Sequence, residues 1–520
     1  TFDHQALFSG ILPDFSGVHL GHGQVLRFDA RTVALNQEIL HGTRALASDP
    51  HTRARLLDKI LNGATEPLAE IPNLPEKLRP YQREGVAWLL QRAKQLEPAL
   101  LADEMGLGKT FQTLVFLLHL KEYSEPGPQL IVLPTSLLTN WQRECEMHTP
   151  DRKITIYHGG SRQAEPLSTA DLVLTTYGIV MRDQETLASI PWQAVILDEA
   201  QAIKNVSSQT AEAVFSLKAQ YRMALTGTPL ENHPGELASI FHFLAPGYCG
   251  PPDRYAKVFH PEQPAYKALK LKTAPFMLRR LKKQVATDLP DRQEISLFLP
   301  MDAEQKRLYD KIRSQALETN TDGKPNNMAV LTQLLRLRQV ACHPGLVDEA
   351  CLAQASPKLI YLTERLLELN ESGQTALVFS QFTSLLKIAK NHLENHDLHC
   401  LYLDGATRDR QALVDRFQAG HGDVFLISLK AGGTGLNLTR ANYVFHLDPW
   451  WNPMVEAQAT DRTHRIGQTQ TVFSYKLVSA ESIEQKVLAL QEQKRLLADD
   501  LWQTGAWKPS LGELSDLLDL

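Results

Sequence analysis

The chain has 520 residues, enough for about three to four domains of ordinary size, so a small binding module is excluded. Its composition is 43% hydrophobic and 22% charged, close to ordinary globular usage, which excludes a disordered or collagen-like chain. With 54 Lys and Arg against 59 Asp and Glu, the net charge is -5, so contact with nucleic acid would require a local basic patch.

The apolar runs of the sequence are short and interrupted. None approaches the roughly 20 residues of a membrane span, and no charged-then-apolar leader opens the chain, which predicts a cytoplasmic protein without membrane contact. Five scattered cysteines form no Cys-x-x-Cys pair, so we predict reduced thiols and no zinc site. The chain begins at Thr1 and not at Met, which indicates a fragment or a processed form.

Two stretches alternate short β-rich runs with longer helical patterns, which is typical of parallel-sheet α/β domains. The predicted strands are 99–101, 131–133, 172–174, 194–197 and 223–225, then 376–379, 400–403, 424–427, 443–445 and 472–475. The predicted divisions are an accessory segment and linker at 1–76 with a helix at 52–61, a first lobe at 77–245, a helical insertion and linker at 246–355, a second lobe at 356–495 and an acidic tail at 496–520. The predicted fold class is therefore α/β.

A glycine-rich loop follows the first strand of the first lobe. Residues 103–110 read Asp-Glu-Met-Gly-Leu-Gly-Lys-Thr, and the apolar helical run 111–120 follows directly. This arrangement lets backbone N–H groups and a helix N-terminus hold phosphate. We expect Lys109 to reach the β- and γ-phosphates and the Thr110 hydroxyl to bind Mg²⁺. The strict phosphate-loop pattern has Gly where this chain has Asp103, so a surface turn is the alternative for this motif alone.

Two adjacent carboxylates, Asp198 and Glu199, close another buried strand of the same lobe. Open α/β sheets bind ligands at the carboxyl ends of their strands. Asp198 would hold Mg²⁺ through water, and Glu199 would orient or deprotonate the attacking water. The alternative, two acids that merely end a strand, is disfavoured by the phosphate loop in the same lobe.

These motifs and their order resemble the Snf2 (SWI2/SNF2-like) family of helicase superfamily 2, the ATP-driven translocases of nucleic acid, from about residue 78 to 485. Family members typically write the phosphate loop as it stands here, which accounts for Asp103. The resemblance implies two RecA-like lobes, ATP and Mg²⁺ as cofactors, and a DNA-stimulated ATPase. It also implies double-stranded DNA as partner, with a DNA-bound protein as the target of remodelling. The terse loops favour a prokaryotic member, nucleoid-associated if bacterial.

The resemblance also assigns roles in nucleotide binding. Residues 78–85 resemble the family's adenine-reading motif, and the amide of Gln82 suits it because it can donate and accept on one base edge. In segment 458–468, Arg462 and Arg465 would share one face if the segment is helical, and they resemble arginine fingers that the second lobe supplies to nucleotide held by the first. The implied catalytic set is Lys109, Asp198, Glu199, Arg462 and Arg465, and the nucleotide-binding set is Gln82, Asp103, Gly106, Gly108, Lys109, Thr110, Gly435 and Gln458.

Further segments resemble the family's nucleic-acid motifs. Residues 133–136 with Trp141, and 175–177, resemble two strand-tracking motifs, and hydroxyls and N–H groups at strand ends suit phosphodiester contact. Residues 226–232 resemble the motif that couples hydrolysis to nucleic-acid binding. A tight turn after a strand is the alternative interpretation of this segment. In the second lobe the matching segments are 379–382, 403–407, 428–438 and 448–453, the last with two tryptophans that suit core packing or base stacking.

A basic stretch supplies the local patch that the net charge requires. Residues 265–287 carry seven basic side chains and no acid, and part of this stretch matches a segment characteristic of Snf2 proteins. A solvated helix face is the alternative. The implied nucleic-acid residues are Thr135, Ser136, Thr175, Thr176, Lys267, Lys270, Lys272, Arg279, Arg280, Lys282, Lys283, Gln381 and Lys430.

The leading functional prediction is an ATP-dependent double-stranded DNA translocase that hydrolyses ATP in the cleft between its two lobes and remodels protein–DNA complexes. One alternative is a strand-separating DNA or RNA helicase. Another is a catalytically weak, ATP-gated nucleic-acid-binding protein, although the residues expected of an active ATPase are all in place.

Overall fold

A computed structural model describes residues 70–160, 162–227, 234–252, 264–286, 288–318, 327–432 and 436–501, with 17–21, 24–27 and isolated positions between 46 and 68. The chain divides into two compact units, and the boundary between them falls between Val285 and Ala286. Across the described ranges, no helix has both the length and the apolar character needed to cross a bilayer. An antiparallel hairpin pairs β1 (Gly17–Gly21) with β2 (Gln24–Arg27).

The first unit is built on a parallel sheet of seven strands. In spatial order these are β5 (Ile154–Tyr157), β6 (Leu172–Thr176), β4 (Gln129–Leu133), β7 (Trp192–Leu197), β8 (Ala219–Leu225), β3 (Ala99–Leu101) and β9 (Met277–Leu278). Strands β4, β6 and β7 are buried along their whole length. Their near-continuous apolar sequences reflect a sheet that is covered on both faces.

Helices cover both faces of this sheet. They are α1 (Pro80–Lys94), α2 (Lys109–His119), α3 (Leu138–His148), α4 (Tyr177–Arg182), α5 (Gln184–Ser189), α6 (Gln209–Phe215), α7 (Pro234–Leu244), α8 (Pro264–Thr273) and α9 (Lys282–Val285). One apolar core holds Phe116 and Trp141, and the core on the opposite face holds Trp192 and Phe241. The sheet is therefore a rigid platform whose strand ends carry the loops.

The second unit is a parallel sheet of six strands. In spatial order these are β10 (Arg292–Leu299), β15 (Val472–Ser479), β14 (Tyr443–His446), β11 (Ala376–Ser380), β13 (Val424–Ser428) and β12 (Cys400–Leu403). The described helices are α10 (Ala303–Glu318), α11 (Asn327–Cys342), α12 (Pro357–Glu371), α13 (Thr383–Glu394), α14 (Arg410–Gln418), α15 (Leu429–Gly432), α16 (Pro453–Thr460) and α17 (Ile483–Leu501). Besides a core on each face of the sheet, α10, α11 and α17 enclose a separate apolar cluster.

Short 3₁₀ turns connect several of these elements. They lie at Leu120–Glu122, Thr135–Leu137, Glu165–Thr169, Ala200–Ile203, Ala274–Phe276, Pro344–Leu346 and Glu349–Cys351. Two of them, at Thr135–Leu137 and Ala200–Ile203, follow strands of the first sheet, so the chain turns sharply at the carboxyl edge of that sheet.

All ten predicted strands form, and the predicted fold class of two parallel-sheet α/β lobes is confirmed. Five described strands were missed: β1 and β2 of the hairpin, and β5, β9 and β10, each of which lies at an edge of one of the two parallel sheets. Along β10 the residues are half-buried or exposed, and β5 has one fully buried residue. Edge strands need less apolar sequence than central ones, so the hydrophobic pattern that reveals the central strands is weak there.

The predicted helical insertion at 246–355 is not one unit in the described residues, and this boundary was wrong. Strand β9 completes the first sheet through β3, whereas β10 joins the second sheet through β15. Helices α10 and α11 pack with α17 inside the second unit. Of the predicted helix at 52–61, the described positions Arg55, Leu56, Lys59 and Ile60 are helical. The tail beyond residue 501 lies outside the described residues.

Candidate nucleotide and nucleic-acid sites

The glycine-rich loop joins β3 to α2 in the first unit. Gly106 and Gly108 have φ angles of 85° and 75°, in the left-handed region that glycine occupies without strain. A Cβ atom on Gly108 would lie 2.4 Å from Nε2 of Gln82, so close packing also requires glycine there. Helix α2 begins at Lys109, and its first-turn N–H groups form a natural binding site for phosphate.

Lys109 lies among acidic groups. Its ammonium donates to the backbone carbonyl of Asp103 at 2.7 Å. Burial lowers the pKa of Lys109, while Glu199, Asp103 and Asp198 act in the opposite direction. Lys109, which follows β3, and the two acids, which follow β7, therefore belong to loops at the same carboxyl edge of the sheet.

Gln82 is buried on α1 and contacts the phosphate loop directly. Its Nε2 donates to the carbonyl of Leu107 at 3.1 Å, and its Oε1 accepts from the N–H of Arg79 at 3.0 Å. The Tyr81 hydroxyl donates to the same Leu107 carbonyl at 3.1 Å. The side chain thus ties α1 to the loop, and its predicted contact with adenine stays a prediction.

Asp198 is buried at the end of β7. One carboxylate oxygen accepts from the indole Nε1 of Trp141 at 2.7 Å, and the other accepts from the N–H of Glu199 at 2.9 Å. The Tyr177 hydroxyl donates to the Asp198 backbone carbonyl at 2.7 Å. Burial, and then the charge of Glu199, raise the pKa of Asp198 to about 6. The ionised form of Asp198 is therefore destabilised in this site, and a bound cation would stabilise it.

Glu199 has a left-handed backbone with φ 49° and ψ 56°. Such a conformation costs a non-glycine residue about 1–3 kcal/mol and tends to occur at functional sites. Its Oε2 accepts from Nε2 of Gln201 at 2.7 Å, and Oε1 of Gln201 accepts from the Thr226 hydroxyl at 3.0 Å. This chain of bonds links the acid at the end of β7 to the end of β8. The rest of the predicted motif, 228–232, lies outside the described residues.

The donor set fits Mg²⁺. Asp198 offers a carboxylate and Thr110 a hydroxyl in the first turn of α2, and Mg²⁺ prefers oxygen ligands of this kind. Each carboxylate oxygen of Asp198 has a second lone pair beside the hydrogen bond it already accepts, so metal binding does not require those bonds to break.

Arg280 holds the phosphate loop from the neighbouring edge strand, and sequence reasoning missed this role. Its Nε and Nη2 bind the fully buried carboxylate of Asp103 at 2.9 and 2.5 Å. The backbone continues the contact, because Ala102 donates to Leu278 at 2.7 Å and Glu104 donates to Arg280 at 3.0 Å. The signal in the sequence was the acid that replaces the first glycine of the strict pattern.

The predicted basic patch is smaller than the sequence suggested. Lys272, Arg280 and Lys282 are buried, so the assignment of these three as DNA contacts was wrong. The Lys272 ammonium lies 5.4 Å from the centre of the Tyr248 ring. They pack inward because α8, β9 and α9 cover the edge of the first sheet, which charge counting cannot reveal. Lys283 is exposed, and Lys270 and Arg279 are half-buried. The side chain of Lys267 is not among those that the structure describes.

The two strand-tracking segments differ in exposure. Thr135 is exposed and Ser136 half-buried in the 3₁₀ turn after β4, where they suit contact with a phosphodiester. Thr175 and Thr176 are buried, and the Thr175 hydroxyl donates to the carbonyl of Tyr157 at 2.8 Å. Direct contact of nucleic acid with these two hydroxyls is therefore not supported, since both lie inside the unit.

In the second unit, Arg462 and Arg465 lie in turns that follow α16, because the helix ends at Thr460. The helical arrangement considered from the sequence was wrong. Arg462 is buried and Arg465 half-buried, and the Arg462 carbonyl accepts from the N–H of Leu438 at 3.0 Å. Gln458 is half-buried on α16, whereas Gly435 lies outside the described residues.

The two nucleic-acid residues predicted in the second unit occupy different surroundings. Lys430 is exposed on α15. Gln381 is half-buried at the end of β11, and its N–H donates to Oδ1 of Asp448 at 3.2 Å. Oδ1 of Asp448 also accepts from the Ser380 hydroxyl at 2.5 Å, which ties the ends of β11 and β14 together.

Trp450 and Trp451 take part in packing. The guanidinium of Arg338 lies 5.4 Å from the centre of the Trp450 ring and 5.2 Å from that of Trp451. Its Nη2 donates to the carbonyl of Pro449 at 2.8 Å. These contacts favour the packing interpretation of the tryptophan pair over a free stacking surface.

Two parallel-sheet units, one with a phosphate loop facing an acid pair, define a nucleotide-binding protein of the helicase class. The family model of the SNF2-related domain matches residues 81–346, and the family model of the helicase conserved C-terminal domain matches residues 357–467. The chain belongs to the family of SNF2-related proteins, so the predicted family is confirmed.

Several relatives show the same affiliation. The chain is 37% identical over 498 residues to the putative ATP-dependent helicase/translocase YwqA of Bacillus subtilis, covering 89% of this chain and 54% of that protein. It is 35% identical to the ISWI chromatin-remodeling complex ATPase ISW1 of Saccharomyces cerevisiae, covering 80% of this chain and 40% of that protein. The chain thus spans about half the length of the curated relatives it matches.

Among solved structures, the Sulfolobus solfataricus SWI2/SNF2 ATPase core in complex with dsDNA is 33% identical. The match covers 87% of this chain and 97% of that one, with a TM-score of 0.44. A second structure, of the same ATPase core domain alone, is 34% identical, covers 88% and 98%, and has a TM-score of 0.43.

Proposed function

We propose that this chain is the ATPase core of a double-stranded DNA translocase that remodels protein–DNA complexes. The observation that carries the proposal is that Lys109 follows β3 and that Asp198 and Glu199 follow β7, at the carboxyl edge of the same parallel sheet. Membership of the SNF2-related family supports the same function, because its relatives include a putative helicase/translocase and a chromatin-remodeling ATPase.

Each residue of the site has a role in this proposal. The N-terminus of α2 and Lys109 bind the β- and γ-phosphates. Glu199 orients the attacking water and accepts its proton. Mg²⁺, held by Thr110 and Asp198, would neutralise phosphate charge.

The second unit supplies the groups that complete hydrolysis. Arg462 and Arg465 stabilise the charge that develops on the transferred phosphoryl group. Because these arginines belong to the second unit and Lys109 to the first, hydrolysis requires closure of the two units, and product release allows them to open. Repeated closure would move the duplex along the protein.

The test is ATP turnover with no nucleic acid, with duplex DNA, with single-stranded DNA and with RNA. We expect stimulation by duplex, and a loss of about 100-fold or more in Lys109→Ala and Arg465→Ala, since each removes a group that stabilises transition-state charge. The matched controls are Lys121→Ala and Arg416→Ala, which remove exposed side chains of the two units and should leave turnover unchanged.

The same panel separates the alternatives. Stimulation by single strands alone, with unwinding of a duplex, would support the strand-separating helicase. Absence of turnover under every condition would support an ATP-gated binding protein and overturn the ATPase proposal.

A further inference from the structure

Two side chains from different helices converge on Asp198. Trp141 donates its indole N–H to the carboxylate, and Tyr177 donates its hydroxyl to the backbone carbonyl of the same residue, both at 2.7 Å. Trp141 follows the turn at Thr135–Leu137 after β4, and Tyr177 follows the end of β6. Both segments that resemble strand-tracking motifs therefore end in a contact with the acid proposed to hold Mg²⁺.

Trp141 is placed to transmit a displacement. It is fully buried on α3, which begins directly after the turn that carries exposed Thr135. Closely packed cores transmit strain and do not absorb it, so a shift of this turn would move the indole. A hydrogen bond weakens steeply as its angle departs from linearity, and one made to a charged group is the stronger kind.

Tyr177 holds the same residue from the other side. It is the first residue of α4, and its side chain is buried. Since it binds the Asp198 backbone and not the carboxylate, it fixes where the strand ends, while Trp141 fixes the direction of the carboxylate.

We propose that Trp141 is a positioning residue that relays nucleic-acid engagement at the turn Thr135–Leu137 to the magnesium-holding carboxylate, with Tyr177 holding the backbone of the same acid, so that duplex binding accelerates ATP hydrolysis through Asp198. This inference rests on the proposed function. It adds the route by which DNA stimulates the site, and it names residues that touch neither substrate.

Trp192 provides a matched control. It is also fully buried in the first unit, and its indole donates at 2.9 Å, but to the backbone carbonyl of Leu187 and not to an acid of the site. Trp141→Phe and Trp192→Phe thus make the same chemical change in comparable surroundings. Tyr177→Phe removes the second donor with little change of volume.

The experiment compares these three full-length variants with the wild type. Turnover is measured with and without duplex, duplex affinity by fluorescence anisotropy, and binding of a non-hydrolysable ATP analogue across a Mg²⁺ titration. In Trp141→Phe we expect duplex stimulation to fall about tenfold or more, the loss typical of a hydrogen bond to a charged group. The Mg²⁺ concentration for half-maximal analogue binding should rise severalfold, with duplex affinity unchanged.

Tyr177→Phe should lower stimulation by about two- to tenfold, because its bond is to a neutral carbonyl. Trp192→Phe should behave as the wild type in every measurement. The relay is overturned if Trp141→Phe keeps the wild-type ratio of stimulated to basal turnover, or if Trp192→Phe loses that ratio equally. If duplex does not stimulate the wild type, the proposed function and the relay are both overturned. If duplex stimulates the wild type and Trp141→Phe equally, only the relay is overturned.

Discussion

His446 is a buried imidazole at the end of β14 in the second unit, and it carries a pH dependence of stability. Burial lowers its pKa to about 3, assisted by the charges of Lys476 and Arg292 and opposed by Glu294. Its Nε2 lies 3.0 Å from the hydroxyl of Thr460. The folded protein therefore keeps this ring neutral at pH values where an exposed histidine is charged.

The sign of the effect follows from proton uptake. An unfolded histidine titrates near pH 6.5, so between about 6.5 and 3 the unfolded chain binds a proton that the folded chain does not. As pH falls from about 6.5 to about 3, the free energy of unfolding should therefore decrease by up to about 1.4 kcal/mol per pH unit. We expect His446→Gln to lose this part of the pH dependence. The measurement is denaturant unfolding at pH 7 and at pH 5, and the change in free energy of unfolding between the two pH values is compared for variant and wild type.

The difference measurement removes other titrating groups. Asp448, whose pKa burial raises to about 6, stabilises the folded state as pH falls towards 3.8, opposite in sign, and it is present in both proteins. Exposed His421→Gln serves as the control substitution. Equal pH dependence in His446→Gln and wild type would contradict the assignment.

Strand β9 shows how one edge element fixes the phosphate loop. It pairs with β3, and the carbonyls of Leu278 and Arg280 accept backbone hydrogen bonds from Ala102 and Glu104 at the start of the loop. Arg280 then binds Asp103 with two nitrogens, bonds to Gln112 at 2.8 Å, and donates to the carbonyl of Tyr81. The buried ion pair with Asp103 therefore holds the segment after the edge strand to the loop, and hydrogen bonds to Tyr81 and Gln112 hold it to α1 and α2.

Removal of this arginine should destabilise the first unit strongly. Arg280→Ala leaves the Asp103 carboxylate buried without its partner, which typically costs about 3–5 kcal/mol. We expect a corresponding loss in denaturant unfolding, together with weaker binding of ATP as the loop loses its support. Lys283→Ala, an exposed base three residues further on, should change stability by less than about 0.5 kcal/mol. Similar stability for the two variants would refute the role of the pair.

The net charge of -5 is an average over the chain, and burial decides which bases face solvent. Lys272, Arg280 and Lys282 contribute no exposed charge of the kind that binds phosphates, whereas Lys283 does. Duplex affinity should therefore depend on fewer bases in this stretch than the seven that the sequence contains.

Salt dependence of duplex binding tests this distinction. If Lys283 neutralises one phosphate, Lys283→Ala should reduce the slope of log affinity against log salt by about 0.9. Lys121→Ala is the control. This exposed lysine follows the C-terminal end of α2, whereas Lys109 is at the N-terminal end of that helix. An unchanged slope in Lys283→Ala would remove this residue from the interface.

The sequence determined the central strands, the glycine loop and the acid pair, because each depends on local pattern: continuous apolar runs, a turn that needs glycine, and charge directly after a strand. It could not reveal the roles of Trp141 and Arg280. Trp141 lies 57 residues from its partner Asp198 and Arg280 lies 177 from Asp103, so local pattern does not pair them. Only the tertiary structure decided which bases are buried and which donors reach the site, because parallel strands bring remote loops to one edge.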